Sequence, residues 1–326
     1  MKAILVDSSG AAPVLRLGEA PAPELLPGAL RIRVAATAVN RADLLQARGL
    51  YPPPPGASEL LGLECAGEVI AVGEGVAGWR TGDRAMALLS GGGYAEEVVV
   101  DAGSALPVPD RLSFEEAAAI PEVFLTVFLN VFQLAGLADG GGVLVHGGGS
   151  GIGTAATRLV KHVGATLVVT AGSDEKCARC RELGADIAVN YNDGDFVAAC
   201  HEATGGAGVD VVLDSIGASY LERNLASLAV DGRLVVIGLM GGAKAEMNLG
   251  VLLARRLTVI GSTLRARPLE QKARLVSAFQ ARFGEALASG GVGPTLDRVL
   301  PLSEAGQAHR IVESSAHFGK VVLAVA

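Results

Sequence analysis

The sequence predicts an α/β protein: a doubly wound parallel sheet that follows a smaller β-rich domain. Three observations carry that reading. A glycine-rich stretch, HGGGSGIGTAA at 146–156, sits directly after the apolar run VLV. Beyond residue 120, short Val- and Leu-rich segments alternate with helical ones, the pattern of βαβ units around a sheet buried on both faces. Before residue 120, short apolar runs are separated by Gly and Pro at turn positions. With 326 residues, half of them hydrophobic and 19% charged, the chain is long enough for two cores and too apolar for disorder.

Taken in order, MKAILVD reads as a strand whose apolar run is too brief for a secretion signal. LRIRVAATAV (30–39), LLGLECAGEVIAVGEGV (60–76) and YAEEVVV (94–100) read as strands, and NRADLLQARG (40–49) as the one helix among them. The stretch 117–136 is apolar, but Pro121, Glu122, Asn130 and Gln133 interrupt it, so it reads as a buried helix rather than a membrane span. Strands at GVLVHG, TLVVTAG, DVVLDSIG, RLVVIGLMGG and LTVIGST then alternate with helices at 150–163, 174–183 and 219–229. A helix over about 268–289, the segment LDRVLPL, another helix and a last strand GKVVLAV close the chain, and that strand can return to the first domain. The expected domains are 1–120 with 266–326, and 121–265.

Composition narrows the function. A net charge of −7 without a basic run excludes a nucleic-acid surface. Cysteines at 65, 177, 180 and 200 make no secreted disulfide framework in a chain of this length, so a cytosolic protein is expected. Cys177 and Cys180 form a C-x-x-C, but no second pair completes a metal site.

The glycine loop is the strongest functional signal. A strand, a glycine turn and a helix N-terminus place backbone N–H groups and the positive end of a helix dipole where an anion can bind. Gly151, Gly153 and Ala156 supply the G-x-G-x-x-(G/A) spacing: tight turn, close approach, small contact to the sheet. The loop has no Gly-Lys-Ser/Thr of a P-loop, and Ile152 stands where a nucleophile elbow needs Gly. That leaves Ser150 as a phosphate or backbone contact. The second strand ends in Ala171-Gly172-Ser173 with Lys176 close behind, a small neutral tip with a cation, which favours NADPH over NADH. Asp174 and Glu175 stand either as ribose ligands or as first-turn acids of the next helix.

NRADLLQARGLYPPPPGASELLGLECAGEV (40–69), MALLSGGGYAEEV (86–98), AAAIPE (117–122) and VVIGLMGG (235–242) resemble the zinc-free quinone oxidoreductases of the medium-chain dehydrogenase/reductase superfamily, in particular their tumour-suppressor-inducible branch. The likeness runs over nearly the whole chain. It implies a GroES-like β-rich catalytic domain beside a Rossmann domain. Asn40 and Leu63 stand where zinc-dependent members carry Cys and His, so no metal is expected.

By the same resemblance, cofactor contacts are expected at Ser150, Gly151, Ile152 and Gly153. At the adenosine end they fall on Gly172, Ser173, Lys176 and Tyr191. At the nicotinamide end they fall on Thr126, Ile216, Gly217, Leu239, Met240, Ser262, Thr263, Leu264, Phe318 and Lys320. Tyr51, Asn40 and Asp43 are the polar residues expected to face the acceptor in a cleft, although Asn40 as helix cap and Asp43 as first-turn acid are an equal reading. The activity implied is hydride transfer from NADPH to a quinone or related enone acceptor. Reduction of an enoyl thioester, with Tyr51 as acid, is the alternative. The apolar edge strand at 257–264 suggests a homodimer.

Overall fold

In the computed structural model, which describes residues 1–10 and 12–325, turn residues separate seven strands up to Pro107. These are β1 (Lys2–Asp7), β2 (Val14–Glu19), β3 (Ala29–Ala38), β4 (Glu64–Val72), β5 (Arg84–Leu88), β6 (Glu97–Asp101) and β7 (Ala105–Pro107). Helix α1 (Arg41–Ala47) lies between β3 and β4, and α2 (Phe114–Ala118) and α3 (Pro121–Val127) follow β7.

The single helix expected over 117–136 is divided. Pro121 opens α3 in the first helical position, where its missing N–H costs nothing. The Asn130 side-chain amide donates to the Thr126 carbonyl at 2.7 Å, and residues Phe128–Leu134 widen into π-helix, with the Ala135 N–H bonding the Asn130 carbonyl five residues back.

From Gly142 the chain alternates: β8 (Gly142–His146), α4 (Gly151–His162), β9 (Thr166–Ala171), α5 (Asp174–Leu183), β10 (Ile187–Asn190), α6 (Phe196–Ala203), β11 (Val209–Asp214), α7 (Leu221–Ser227), β12 (Leu228–Val236), α8 (Leu249–Arg255) and β13 (Thr258–Gly261). These six strands form one sheet in the order β10-β9-β8-β11-β12-β13, all parallel. The strand order reverses between β8 and β11, the usual place for a ligand in such a sheet. The core around it includes Leu144, Val168, Phe196, Val212 and Leu234.

The last segment adds α9 (Leu269–Ser289), β14 (Leu296–Pro301), α10 (Ala305–Glu313) and β15 (Lys320–Ala324). It returns to the first unit: β15 pairs antiparallel with β3, Val322 opposite Ala38, and parallel with β14. The sheet runs β14-β15-β3-β4-β5-β7, with β6 also on β3. Ile4, Leu30, Ile32, Leu61, Val69, Tyr94 and Leu323 lie in its core. The two compact units are Met1–Leu125 with Leu264–Ala326, and Thr126–Thr263. Among the described residues no helix is long and apolar enough to cross a membrane.

Candidate active site

In the parallel-sheet unit the glycine loop makes the turn from β8 into α4. The positive φ that the turn requires falls on Gly147, at +78°, rather than on Gly151, which is already the first residue of the helix. The close approach is between Gly153 and the loop: a Cβ on Gly153 would lie 2.3 Å from the Gly147 carbonyl and 2.5 Å from Gly148 Cα. The glycine spacing thus marks the right loop, with its roles displaced toward the N-terminus. Ser150 caps α4, its Oγ accepting from the Gly153 N–H at 3.0 Å, which is the backbone role. The N–H groups of Gly151 and Ile152 begin the helix and have no carbonyl a turn earlier to bond. Ala156 is fully buried, and Arg158 faces solvent.

The tip of β9 is equally small. A Cβ on Gly172 would come 2.5 Å from the Tyr191 hydroxyl, and Tyr191 is otherwise exposed. Ser173 caps α5 through the Lys176 N–H at 3.2 Å. Asp174 accepts from the Asn190 amide at 3.0 Å, so this acid is tied to β10 and its open alternative closes on a structural role.

At the end of β11, Asp214 turns the chain by accepting from the N–H groups of Ile216 (2.7 Å) and Gly217 (3.0 Å), and Gly217 has φ +83°. Leu239 and Met240 are exposed beside it, with the Gly241 N–H bonded to the Ile216 carbonyl. Thr126 is buried, and Ser262, just past the end of β13, donates its N–H to the Val236 carbonyl. Thr263 ends the unit. A donor-lined loop kept free of side chains, at the point where the strand order reverses, fits a dinucleotide. His146 beneath the loop is structural. Its ring is held by Thr170 and Asn224, and burial first, with the Arg223 charge beside it, takes its pKa down to about 4.

The other unit gathers polar groups from distant segments. Asp43 holds the start of α1, accepting from the Asn40 N–H at 2.8 Å. Asp43 also takes the Gly62 N–H and the Tyr94 hydroxyl and is wholly buried; the structure shows it in the first-turn role, closing the loop before β4. Burial pushes its pKa up to about 6, against the hydrogen bonds from Asn40 and Gly62 and the charge of Lys320. Asn40 is the N-cap residue of α1, as the helix-cap reading expects, and its side chain reaches further. It donates to Glu64 at 2.8 Å and receives the Lys320 ammonium at 2.7 Å. Lys320 also bonds Glu64 at 2.7 Å and the Val39 carbonyl at 3.0 Å, so all three of its donors are committed, leaving none for a cofactor. Phe318 and Leu264, expected at the nicotinamide end, are buried in this unit.

Tyr51 stands apart from that network. Its carbonyl accepts from Arg265 at 3.1 Å, with the guanidinium 5.3 Å from its ring centre. Arg265 is further fixed by the Ser90 carbonyl and Gln46, and the buried Lys272 bonds the Ser90 hydroxyl. Burial first, then the charge of Glu122, raises the Tyr51 phenol above its ordinary value, so it stays protonated. Nothing in the sequence signals Glu122, Arg265 and Lys272 as neighbours of Tyr51. They stand up to 221 residues from it along the chain (272 − 51) and share no local motif with it.

A zinc ion does not fit here. The donors around the Glu64 carboxylate are the Asn40 amide, the Glu122 N–H and a buried lysine ammonium already paired with it. Burial pushes the Cys65 thiol far up, away from the thiolate a zinc ligand needs. Among the described residues no three His, Cys, Asp or Glu side chains are grouped to hold a metal.

Two family profiles match: the alcohol dehydrogenase GroES-like domain over residues 26–110, and zinc-binding dehydrogenase over residues 151–280. Quinone oxidoreductase of Rattus norvegicus is 30% identical over 328 residues, 99% of this chain and 97% of that protein. The chain belongs to the medium-chain dehydrogenase/reductase family, among its quinone oxidoreductase-like members. A crystal structure of Escherichia coli quinone oxidoreductase complexed with NADPH superposes with TM-score 0.85 at 30% identity, over 99% of this chain and all of that one. A crystal structure of CurK enoyl reductase superposes at 0.84 and 28% identity, covering 99% of each chain. The chain also matches a phenolphthiocerol/phthiocerol polyketide synthase of Mycobacterium tuberculosis, 32% identical over 91% of this chain, but spans 13% of that protein's length. Its GroES-like and Rossmann units are those of the family.

Proposed function

We propose that the protein is an NADPH-dependent, zinc-independent quinone oxidoreductase. The observation that carries this reading is the bare loop of Gly147, Gly148 and Gly153 at the start of α4, joined to the neutral β9 tip of Gly172 and Ser173 with Lys176 beside it. The β9 tip itself carries no acid, and of the two acids that follow it Asp174 is engaged by Asn190. The NADPH named with the E. coli structure supports the same cofactor. When bound, the nicotinamide supplies the hydride. The N–H groups of Gly151 and Ile152, in the helix start that Ser150 caps, orient the pyrophosphate, while Ile216, Gly217, Leu239 and Met240 flank the nicotinamide end.

The acceptor site is assigned to Tyr51, whose loop Arg265 holds in place. A quinone takes hydride and leaves a delocalised anion, so no strong electrophile is needed. The enoyl-thioester reading keeps one observation in its favour: the Tyr51 phenol is held protonated by burial, as a proton donor to carbon would need to be. Turnover of naphthoquinones and enoyl-CoA esters by wild type and Tyr51→Phe separates the two. Fast quinone reduction that the substitution barely changes is the expected result. Enoyl-CoA reduction abolished by the substitution would transfer the protein to the second reading.

The protein is further proposed to be a cytosolic homodimer joined through residues 257–264. The strand β13 is the sheet's edge, and Leu249, Leu253 and Val259 are exposed along it and the preceding helix. All four cysteines are free and buried, as a reducing compartment allows.

A further inference from the structure

The acceptor-binding unit holds a carboxyl group that the hydride reading leaves without a task. Glu122 stands at the start of α3, where its N–H is pinned to Glu64 Oε2 at 2.8 Å. Its own Oε2 is shut off from solvent and has no hydrogen-bond partner. An unpartnered buried carboxylate oxygen is costly, whereas a carboxylic acid in that place is not.

The charges around Glu122 come from every side. Glu64 on β4 and Asp43 on α1 oppose its ionisation; Lys320 on β15 and Lys272 on α9 favour it. Glu64 is already neutralised by its contact with Lys320, so one lysine is spent before Glu122 is counted. Burial is the largest influence, and together they push the Glu122 pKa up to about 8. The charge of Glu122 in turn bears on Tyr51, to which the acceptor is assigned above, and on Arg265 and Lys272.

Resting on the reductase reading above, we propose that Glu122 is the proton source for the reduced acceptor. Hydride from the reduced nicotinamide carries two electrons and one hydrogen nucleus to the quinone and leaves an oxygen anion. The O–H bond of the Glu122 acid breaks, a new O–H bond forms on that oxygen, and the hydroquinone is complete. Glu122 is left as a carboxylate whose charge Lys320 and Lys272 favour, and one proton from solvent, which the partly exposed residue can take up, restores it. The sum is quinone, reduced nicotinamide and H⁺ giving hydroquinone and oxidised nicotinamide.

The active form is the acid, so activity is present below about pH 8 and lost as pH rises through it. Two measurements test this. The first is the infrared carboxyl band of the enzyme without acceptor, wild type minus Glu122→Gln. The band is expected at pH 7, disappearing with a midpoint near 8; its absence at pH 7 overturns the proposal. The second is the pH profile of kcat/KM for a quinone. Wild type and Glu122→Asp are expected to fall at high pH, and Glu122→Gln to be flat and roughly a hundredfold slower at pH 7, the lower end of what general acids contribute. A high-pH fall that persists unchanged in Glu122→Gln overturns the proton assignment while leaving the reductase reading intact. A wild type with the expected band but no nicotinamide oxidation by any acceptor overturns the reductase reading and the proton role with it.

Discussion

Replacing Lys320 with Met removes, among the described residues, the only cation in contact with a carboxylate that has no exposed surface. Glu64 is fully buried and Lys320 is 3% exposed, 2.7 Å apart. The substitution keeps most of the side-chain volume but deletes bonds to Glu64, Asn40 and the Val39 carbonyl. Glu64 retains the Asn40 amide and the Glu122 N–H, which temper the loss without replacing the charge. Breaking a buried pair from one side costs about 3–5 kcal/mol, most of it the penalty of the charge left behind. Lys320→Met is therefore expected to destabilise this unit by about that amount, and the double variant Glu64→Gln/Lys320→Met to recover at least half of it, because no bare charge remains. The protein's one tryptophan, Trp79, packs against the core of the same unit, so urea unfolding followed by its fluorescence reads the right transition. A loss below about 1 kcal/mol for Lys320→Met, or a double variant as unstable as the sum of the singles, would refute the reasoning.

Two further outcomes are expected. Gly153→Ala places a methyl 2.3 Å from the Gly147 carbonyl, so the loop must move and NADPH affinity should fall at least about tenfold, or roughly 1.4 kcal/mol, by fluorescence titration; unchanged affinity would remove the loop from the cofactor site. Val259→Asp on the exposed edge strand should convert a dimer to a monomer by light scattering, and a wild type already monomeric would discard the interface.

How far the sequence can be read differs between the two units for a physical reason. In the parallel-sheet unit the ligand-binding loop is a contiguous strand–turn–helix, so Gly147 to Ala156 announce it locally, and only the roles within the run shift, because a positive φ is invisible in a string of glycines. The short β10 and the α6 that follows it escape the sequence pattern: Ile187–Asn190 is four residues without alternation, too brief for a periodic signal. In the other unit the site is assembled by tertiary return. Glu64, Glu122 and Lys320 meet only because β15 pairs with β3, and Arg265 reaches Tyr51 across 214 residues. Asp43 carries the same lesson in reverse: its sequence position suits an active site or a helix start, and burial decides for the helix start.

The most direct test of the central claim is the initial rate of NADPH and, separately, NADH oxidation with benzoquinones and naphthoquinones as acceptors, for wild type and Lys176→Ala. Quinone-dependent oxidation is expected to favour NADPH by about tenfold or more in kcat/KM, a preference that Lys176→Ala largely erases by weakening NADPH alone. Equal use of both nicotinamides by the wild type, or no quinone-dependent oxidation of either, would contradict the claim.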